Sequence, residues 1–282
     1  MSNFLQRTLS GFFFVLIIIG SILWNQFSFA AVFALITGWT VYEFHKLTNQ
    51  HHQIDVLPLA GIVGAVLLFA ISFFYASGLI IYPGFSVYGL YVVAVLVVEL
   101  YRKKENPVNN WAYFLLGQVI IALPFSLLSF ILFIESYNPL ILIAVFATIW
   151  VNDTGAYLVG MTFGKHRLFE RVSPKKSWEG FIGGAVAALA SGYVFSLFIP
   201  EINLIQWLIF SEIVVIFGTF GDLLESLLKR TVNVKDSGDV IPGHGGLLDR
   251  FDSMLLAAPA VFIFLSFIFN DALLNFFKLL SL

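Results

Sequence analysis

Runs of about twenty apolar residues recur along the whole chain, the length a helix needs to cross the hydrocarbon of a bilayer. That recurrence fixes the fold class, because in lipid every backbone N–H and C=O must be satisfied by the spanning structure itself. A transmembrane β-barrel would instead show alternating segments of about ten residues, and these are absent. The composition agrees: 59% of the 282 residues are hydrophobic and 11% charged, where soluble domains carry about a quarter charged residues. The expected fold is therefore all-α, a polytopic integral membrane protein. Nine spans are expected, at 4–24, 27–44, 57–76, 79–100, 111–134, 139–163, 178–199, 205–229 and 251–270. Pro124 should kink the fifth. Met1 to Trp24 has some look of a signal peptide, but a second apolar segment follows at once without a small-residue cleavage site, so it reads as a retained helix. The chain has no cysteine, which excludes disulfides, thiolate metal sites and cysteine nucleophiles.

The basic residues orient the spans. With nine crossings, Arg7, Lys46, Arg102, Lys103, Lys104, Lys165, Arg167, Arg171, Lys175, Lys176, Lys229, Arg230, Lys235 and Arg250 fall on one side, and Lys278 alone on the other. The positive-inside rule then puts the N-terminus in the cytoplasm. Residues 1–135 are almost free of ionisable groups within the spans and read as scaffold, which could also supply homodimer contacts. Glu43, His45 and Glu99 sit near helix ends, where charges reach the interface cheaply. Residues 136–282 read as the catalytic region.

Charge is concentrated between Asp222 and Asp252, which hold five aspartates, Glu225, His244 and four of the fifteen basic residues. Asp222, Glu225, Ser226 and Lys229 are spaced i, i+3, i+4 and i+7, so they share one helical face. Carboxylates with a hydroxyl and an ammonium there suit hard cations and phosphates, since Mg²⁺ prefers carboxylate oxygens, water and phosphate oxygens. A structural salt-bridge stripe is the plainer alternative. Pro242-Gly243-His244-Gly245-Gly246 cannot be helical, and its glycines could bring backbone N–H groups to phosphate oxygens. His244 reads as a ligand contact, with acid, donor and metal-ligand roles all open. Asp249 and Asp252 lie one turn apart at the next helix start, and with Asp222 they could complete an oxygen site for one or two cations.

Two earlier segments belong with this stretch. Asp153 lies in the sixth span, roughly 15 Å below Lys165 at helical rise. A carboxylate at that depth marks a functional site by default, although an aspartate hydrogen-bonded between helices is the bland reading. Asn152, Thr154 and Tyr157 add polar groups to the same turn. The loop from Gly164 to Gly180 carries Lys165, Arg167, Arg171, Lys175 and Lys176; Ser173-Pro174 should start a turn, and Ser177 should cap the next helix with Glu179 in its first turn. A helix start beside Lys175 and Lys176 suits phosphate, unless the loop is simply solvated. Gly180, Gly183 and Gly184 would let a backbone or a ligand approach closely. Gly160 to Lys165 has the wrong spacing for a P-loop.

The pattern Ser226-Leu-Leu-Lys229-Arg230, then Lys235-Asp236-Ser-Gly238, then Ile241-Pro242-Gly-His244-Gly245-Gly246-Leu-Leu-Asp249-Arg250-Phe-Asp252 resembles the signature of the phosphatidate cytidylyltransferase (CDP-diacylglycerol synthase) family. Upstream, Asn152-Asp153-Thr-Gly-Ala-Tyr157, Phe163-Gly164-Lys165 and Ser173-Pro174-Lys175-Lys176-Ser177-Trp178-Glu179-Gly180 extend the resemblance. It implies transfer of a cytidylyl group from CTP to phosphatidate with release of pyrophosphate, dependent on Mg²⁺ with room for a second cation, in a multi-pass protein of a bacterial-type cell membrane whose site faces the cytoplasm. No nucleic-acid partner is implied. By the same resemblance Asp222 and Asp249 would hold Mg²⁺, supported by Asp153, Glu225 or Asp252. Lys175, Lys176, Lys229, Arg230, Lys235 and Arg250 would bind phosphates, with Ser177, Ser226, Gly245 and Gly246 in the substrate site. Two other readings compete: a polyprenol or dolichol kinase, which would transfer a γ-phosphoryl group, and an ion-coupled transporter. A transporter should spread polar groups across the midplane, whereas here they gather at one side.

Overall fold

A computed structural model of the chain describes residues 3–81, 84–232, 234, 237–238 and 245–269. Its elements run α1 (Asn3–Trp24), α2 (Gln26–Thr48), α3 (Pro58–Ala76), α4 (Phe85–Tyr101), α5 (Pro107–Gly117), a π-helical turn (Gln118–Ala122) and α6 (Leu123–Leu132). There follow α7 (Pro139–Phe163), β1 (Arg167–Phe169), β2 (Ser173–Ser177), α8 (Trp178–Phe198), α9 (Leu204–Thr231), α10 (Leu248–Phe251) and α11 (Met254–Ile268). Local sequence sets many of the starts. Asn25 and Asn203 each form a reciprocal capping box, and proline opens α3, α5 and α7, where its missing N–H costs nothing.

Each of the nine expected spans has a helical counterpart. Among the described residues seven helical segments are long and apolar enough to cross a membrane, and Thr8–Trp24 and Phe85–Tyr101 are shorter apolar helices. Two local expectations change and a third gains detail. Where Pro124 should kink the helix, a π-helical turn ends two residues before it; a proline removes an i→i−4 hydrogen bond, and the preceding turn widens to satisfy its carbonyls. Ser173-Pro174 does not start a turn but opens β2, which pairs antiparallel with β1, so a small hairpin is added to an otherwise α-helical fold. Glu43, His45 and Glu99, expected as interfacial charges, are all buried against the protein. Glu99 is held there by Arg102 at 2.7 Å and Asn110 at 2.6 Å.

One hydrophobic core runs through helices of both regions. Its pivot near the charged segment is Phe251, whose ring meets Phe14 of α1, Phe125 of α6 and Phe146 of α7 at centroid separations of 5.6, 5.2 and 6.3 Å. Such contacts add about 0.5–1.5 kcal/mol each beyond burial, and they anchor the short helix that carries Asp249 and Arg250. The α7–α8 pair is close because its facing positions are small. A Cβ at Gly180 would stand 2.9 Å from the Ala156 carbonyl, and one at Gly155 would stand 2.7 Å from the Ala187 Cβ. Gly180 and Gly184 thus admit the backbone of α7, one of the two occupants their spacing allowed, and Gly183 admits the Val159 side chain.

Candidate active site

The end of α7, the hairpin and the start of α8 form one wall of the site, and the C-terminal half of α9 forms the other. Asn152, Asp153, Tyr157, Lys175, Lys176, Ser177 and Asp222 line a cavity of about 430 Å³ between them. A second cavity, about 300 Å³, is lined by Asp153, Asp222, Asp249, Arg250, Asp252 and Ser253 with Phe14 and Trp150. Asp153, Asp222 and Ser253 line both. One space is therefore edged by lysines and the next by carboxylates, with two aspartates at the seam.

Ser177 caps α8 as its sequence indicates, accepting from the Gly180 N–H at 3.1 Å. Glu179 turns back to accept from the N–H groups of Lys165 (3.1 Å) and His166 (3.2 Å) and meets His166 Nδ1 at 2.6 Å. These bonds close the hairpin onto the helix start, so Lys175 and Lys176 are carried on a strand rather than on a loose loop. Lys176 Nζ lies 2.6 Å from Asp222 Oδ2, and Ser226 Oγ donates to Asp222 Oδ1 at 3.2 Å.

The four residues expected on one stripe of α9 divide into two pairs. Asp222 lines both cavities and accepts from Ser226, which lines neither, whereas Glu225 turns inward against Lys229 at 2.5 Å. Glu225 lines neither cavity. Lys229 also reaches Asp249 Oδ1 at 2.7 Å. The other oxygen of Asp249 accepts from the N–H of Ser237 (2.9 Å), its hydroxyl (3.0 Å) and the Gly246 N–H (2.9 Å). The Gly246 N–H is thereby spent inside the protein, while Gly245 adopts φ +82°, the left-handed conformation that favours glycine. Asp252 accepts from the Ser253 N–H at 2.6 Å. Arg230 is exposed at the end of α9 and lines neither cavity. Lys235 and His244 lie outside the described residues.

For a magnesium ion the chemistry of the donors fits, because Asp153, Asp222, Asp249 and Asp252 present only oxygens to one cavity, as that ion prefers. They are not drawn together around a point: among the described residues no three His, Cys, Asp or Glu are grouped closely enough to hold a metal ion. The lysine partners of Asp222 and Asp249 account for part of this. Sequence reasoning missed Glu43 and Ser237. Ser237 carries no signal of its own, but Glu43, an acid inside an apolar helix, does.

Comparisons with known proteins bear on this geometry. Residues 5–268 match the model of the cytidylyltransferase family. A phosphatidate cytidylyltransferase from Bacillus subtilis is 31% identical over 279 residues, covering 94% of this chain and 99% of the relative. Proteins of the same name from Rickettsia felis and Haemophilus influenzae are 36% and 43% identical over 202 and 140 residues, covering 66% and 48% of this chain and 88% and 49% of theirs. With a family match across nearly all of its length and a relative aligned end to end, the chain belongs to the cytidylyltransferase family.

Proposed function

We infer that this chain transfers a cytidylyl group from CTP to phosphatidate, giving CDP-diacylglycerol and pyrophosphate. The observation that carries the reading is the pair of adjoining cavities, one edged by lysines and the other by four aspartates, set among membrane helices. A phosphate oxygen of phosphatidate attacks the α-phosphorus of CTP, the bond from that phosphorus to the β-bridging oxygen breaks, and pyrophosphate leaves with the electron pair. The attacking oxygen is already ionised, so no strong general base is needed. The obstacle is bringing a charged lipid to a charged triphosphate, and fixed cations facing the phosphates lower it. Lys175 and Lys176 supply that charge from β2, with Arg250 on the opposite wall. Exposed Tyr157 and Met161 line the lysine-edged cavity and offer the diacylglycerol an apolar approach from the bilayer. Asp222 and Asp249 would hold Mg²⁺ beside Asp153 and Asp252; when bound, the ion neutralises phosphate charge and favours departure of pyrophosphate. The site faces the cytoplasm, where CTP is available, in keeping with the one-sided distribution of Lys and Arg.

The test uses purified protein, phosphatidate, Mg²⁺ and CTP labelled either in cytosine or at the γ-phosphate. Cytosine label should enter the lipid phase, and γ label should stay in water as pyrophosphate. Lipid carrying the γ label would identify a kinase instead, and lipid carrying neither would overturn both. In the same assay Asp222→Asn should lower the rate by about 10²-fold or more. Its pair with Lys176 is part-exposed, so stability should change by only about 0–1 kcal/mol.

A further inference from the structure

Glu43 belongs to α2, in the part of the chain that reads as scaffold, yet its carboxylate faces the charged segment two hundred residues away in sequence. It is 2% exposed and takes part in none of the ion pairs among the described residues. A buried carboxylate is tolerable only if hydrogen bonds replace its water, and two N–H donors do so, with a hydroxyl shared between Glu43 and Asp249 nearby. Oε1 accepts from Trp39 Nε1 at 3.1 Å, and Oε2 accepts from the Leu248 N–H at 2.8 Å and lies 3.4 Å from Ser237 Oγ. Ser237 has a single hydroxyl proton and stands between two acids, since Asp249 Oδ2 is 3.0 Å away. Glu43 and Asp249 together therefore hold two segments, Ser237 on one side and Gly246 to Leu248 on the other. The glycines there make room for the acid: a Cβ at Gly238 would stand 2.7 Å from Glu43 Oε1, and one at Gly246 would meet both Glu43 and Ser237.

We propose that Glu43 is a positioning residue for the transfer reaction. By fixing Ser237 and the first N–H of α10 it sets the place of Asp249, and through Asp249 that of Lys229, at the rim of the four-aspartate cavity. It lines neither the lysine-edged nor the four-aspartate cavity but a third, of about 500 Å³, with Lys46, Ser237 and Gly238, so it acts on those two through Asp249. The activity part of the test rests on the cytidylyl-transfer reading, whereas the exchange part does not.

The decisive variant is Glu43→Gln in the full chain. Gln keeps the size but replaces one acceptor oxygen by an amide donor, so either Trp39 or the Leu248–Ser237 pair loses its acceptor. Amide hydrogen exchange over 245–251 should quicken by about tenfold, the scale of one lost hydrogen bond, with exchange in α7 and α8 little changed and the thermal midpoint lowered by no more than about 2–4 °C. The kcat should fall by about 10- to 100-fold while the KM for CTP stays near the wild-type value. Ser237→Ala should give the same local pattern, and combining the two should cost less than the product of the separate losses. Unaltered exchange and kcat in Glu43→Gln would overturn the proposal, and so would a uniform rise in exchange, which marks a merely structural role. Should Glu43→Gln fail to fold, Ser237→Ala decides by the same two readouts. A wild-type protein that transfers no cytidylyl group would sink the functional reading and leave the exchange result to judge Glu43 alone.

Discussion

At the C-terminal end of α9 one ammonium serves two acids. Lys229 Nζ lies 2.5 Å from Glu225 and 2.7 Å from Asp249, and the Glu225 side chain is 1% exposed. The two acids depend on it unequally. Asp249 has three further donors, whereas the remaining oxygen of Glu225 has no hydrogen-bond partner among the described residues. Removing the lysine should therefore act mainly through Glu225, because breaking a buried pair from one side leaves an uncompensated charge at a cost of about 3–5 kcal/mol. Lys229→Met should lower the thermal midpoint in detergent strongly. Lys229→Met with Glu225→Gln should recover much of the loss, since the orphaned charge is gone. A double variant no more stable than Lys229→Met alone would show that Glu225 is not what the lysine compensates.

Among the elements, the α7–α8 pair carries the largest share of the site, and its closeness is a packing property with a measurable cost. A Cβ at Gly184 would meet the Asn152 side chain and stand 2.9 Å from the Asn152 carbonyl, whereas one at Gly89 in α4 would meet nothing within 4 Å. Gly184→Ala should destabilise by about 1–3 kcal/mol through overpacking. Gly89→Ala should stabilise by up to about 1 kcal/mol, since alanine loses less backbone entropy in a helix. Thermal midpoints of the two variants should move in opposite directions. The elements also divide by how readable they are. Apolar run length is a property of each segment alone, so all nine helical segments could be placed before any contact was known. Ser177 and Glu179 were readable too, because capping spans only a few residues. The hairpin was not: Ser173 to Ser177 lacks an apolar alternation and becomes a strand only by pairing with Arg167 to Phe169. Glu43 was misread for a related reason. Its distance from the helix end is local information, but the Leu248 N–H that buries it comes from the other end of the chain.

Across the whole molecule, long-range contacts join the helix ends that an alternating topology puts on the same side. Arg102, just past α4, meets Asp55, just before α3, at 3.2 Å, and Lys104 meets the same acid at 2.5 Å. Lys104 and Arg102 hold the Asp55 carboxyl below the usual carboxylate range, the Lys104 hydrogen bond contributing most. Ser237 meets Glu43 near the end of α2, and Lys176 meets Asp222 near the end of α9. At the opposite ends, Tyr137 donates to the Ile22 carbonyl of α1 at 2.5 Å. So α4 returns antiparallel to α3, although its 17 residues span only about 25 Å at helical rise, against a hydrocarbon core of about 30 Å. Arg102 and Lys104 at its end can reach the interface across the shortfall. Because the chain has no cysteine, single cysteines introduced at exposed loop positions can map this arrangement without background. Gln50→Cys, Glu105→Cys and Glu170→Cys should react with a membrane-impermeant maleimide only from the cytoplasmic side. Leu79→Cys, Glu135→Cys and Glu201→Cys should react only from outside. The informative position is Leu79, between α3 and α4: labelled from the cytoplasmic side, it would show that α3 and α4 form a re-entrant pair and would reduce the crossings from nine to seven. Labelled from outside, it would leave the carboxylates and lysines of both cavities on the face where the basic loops lie.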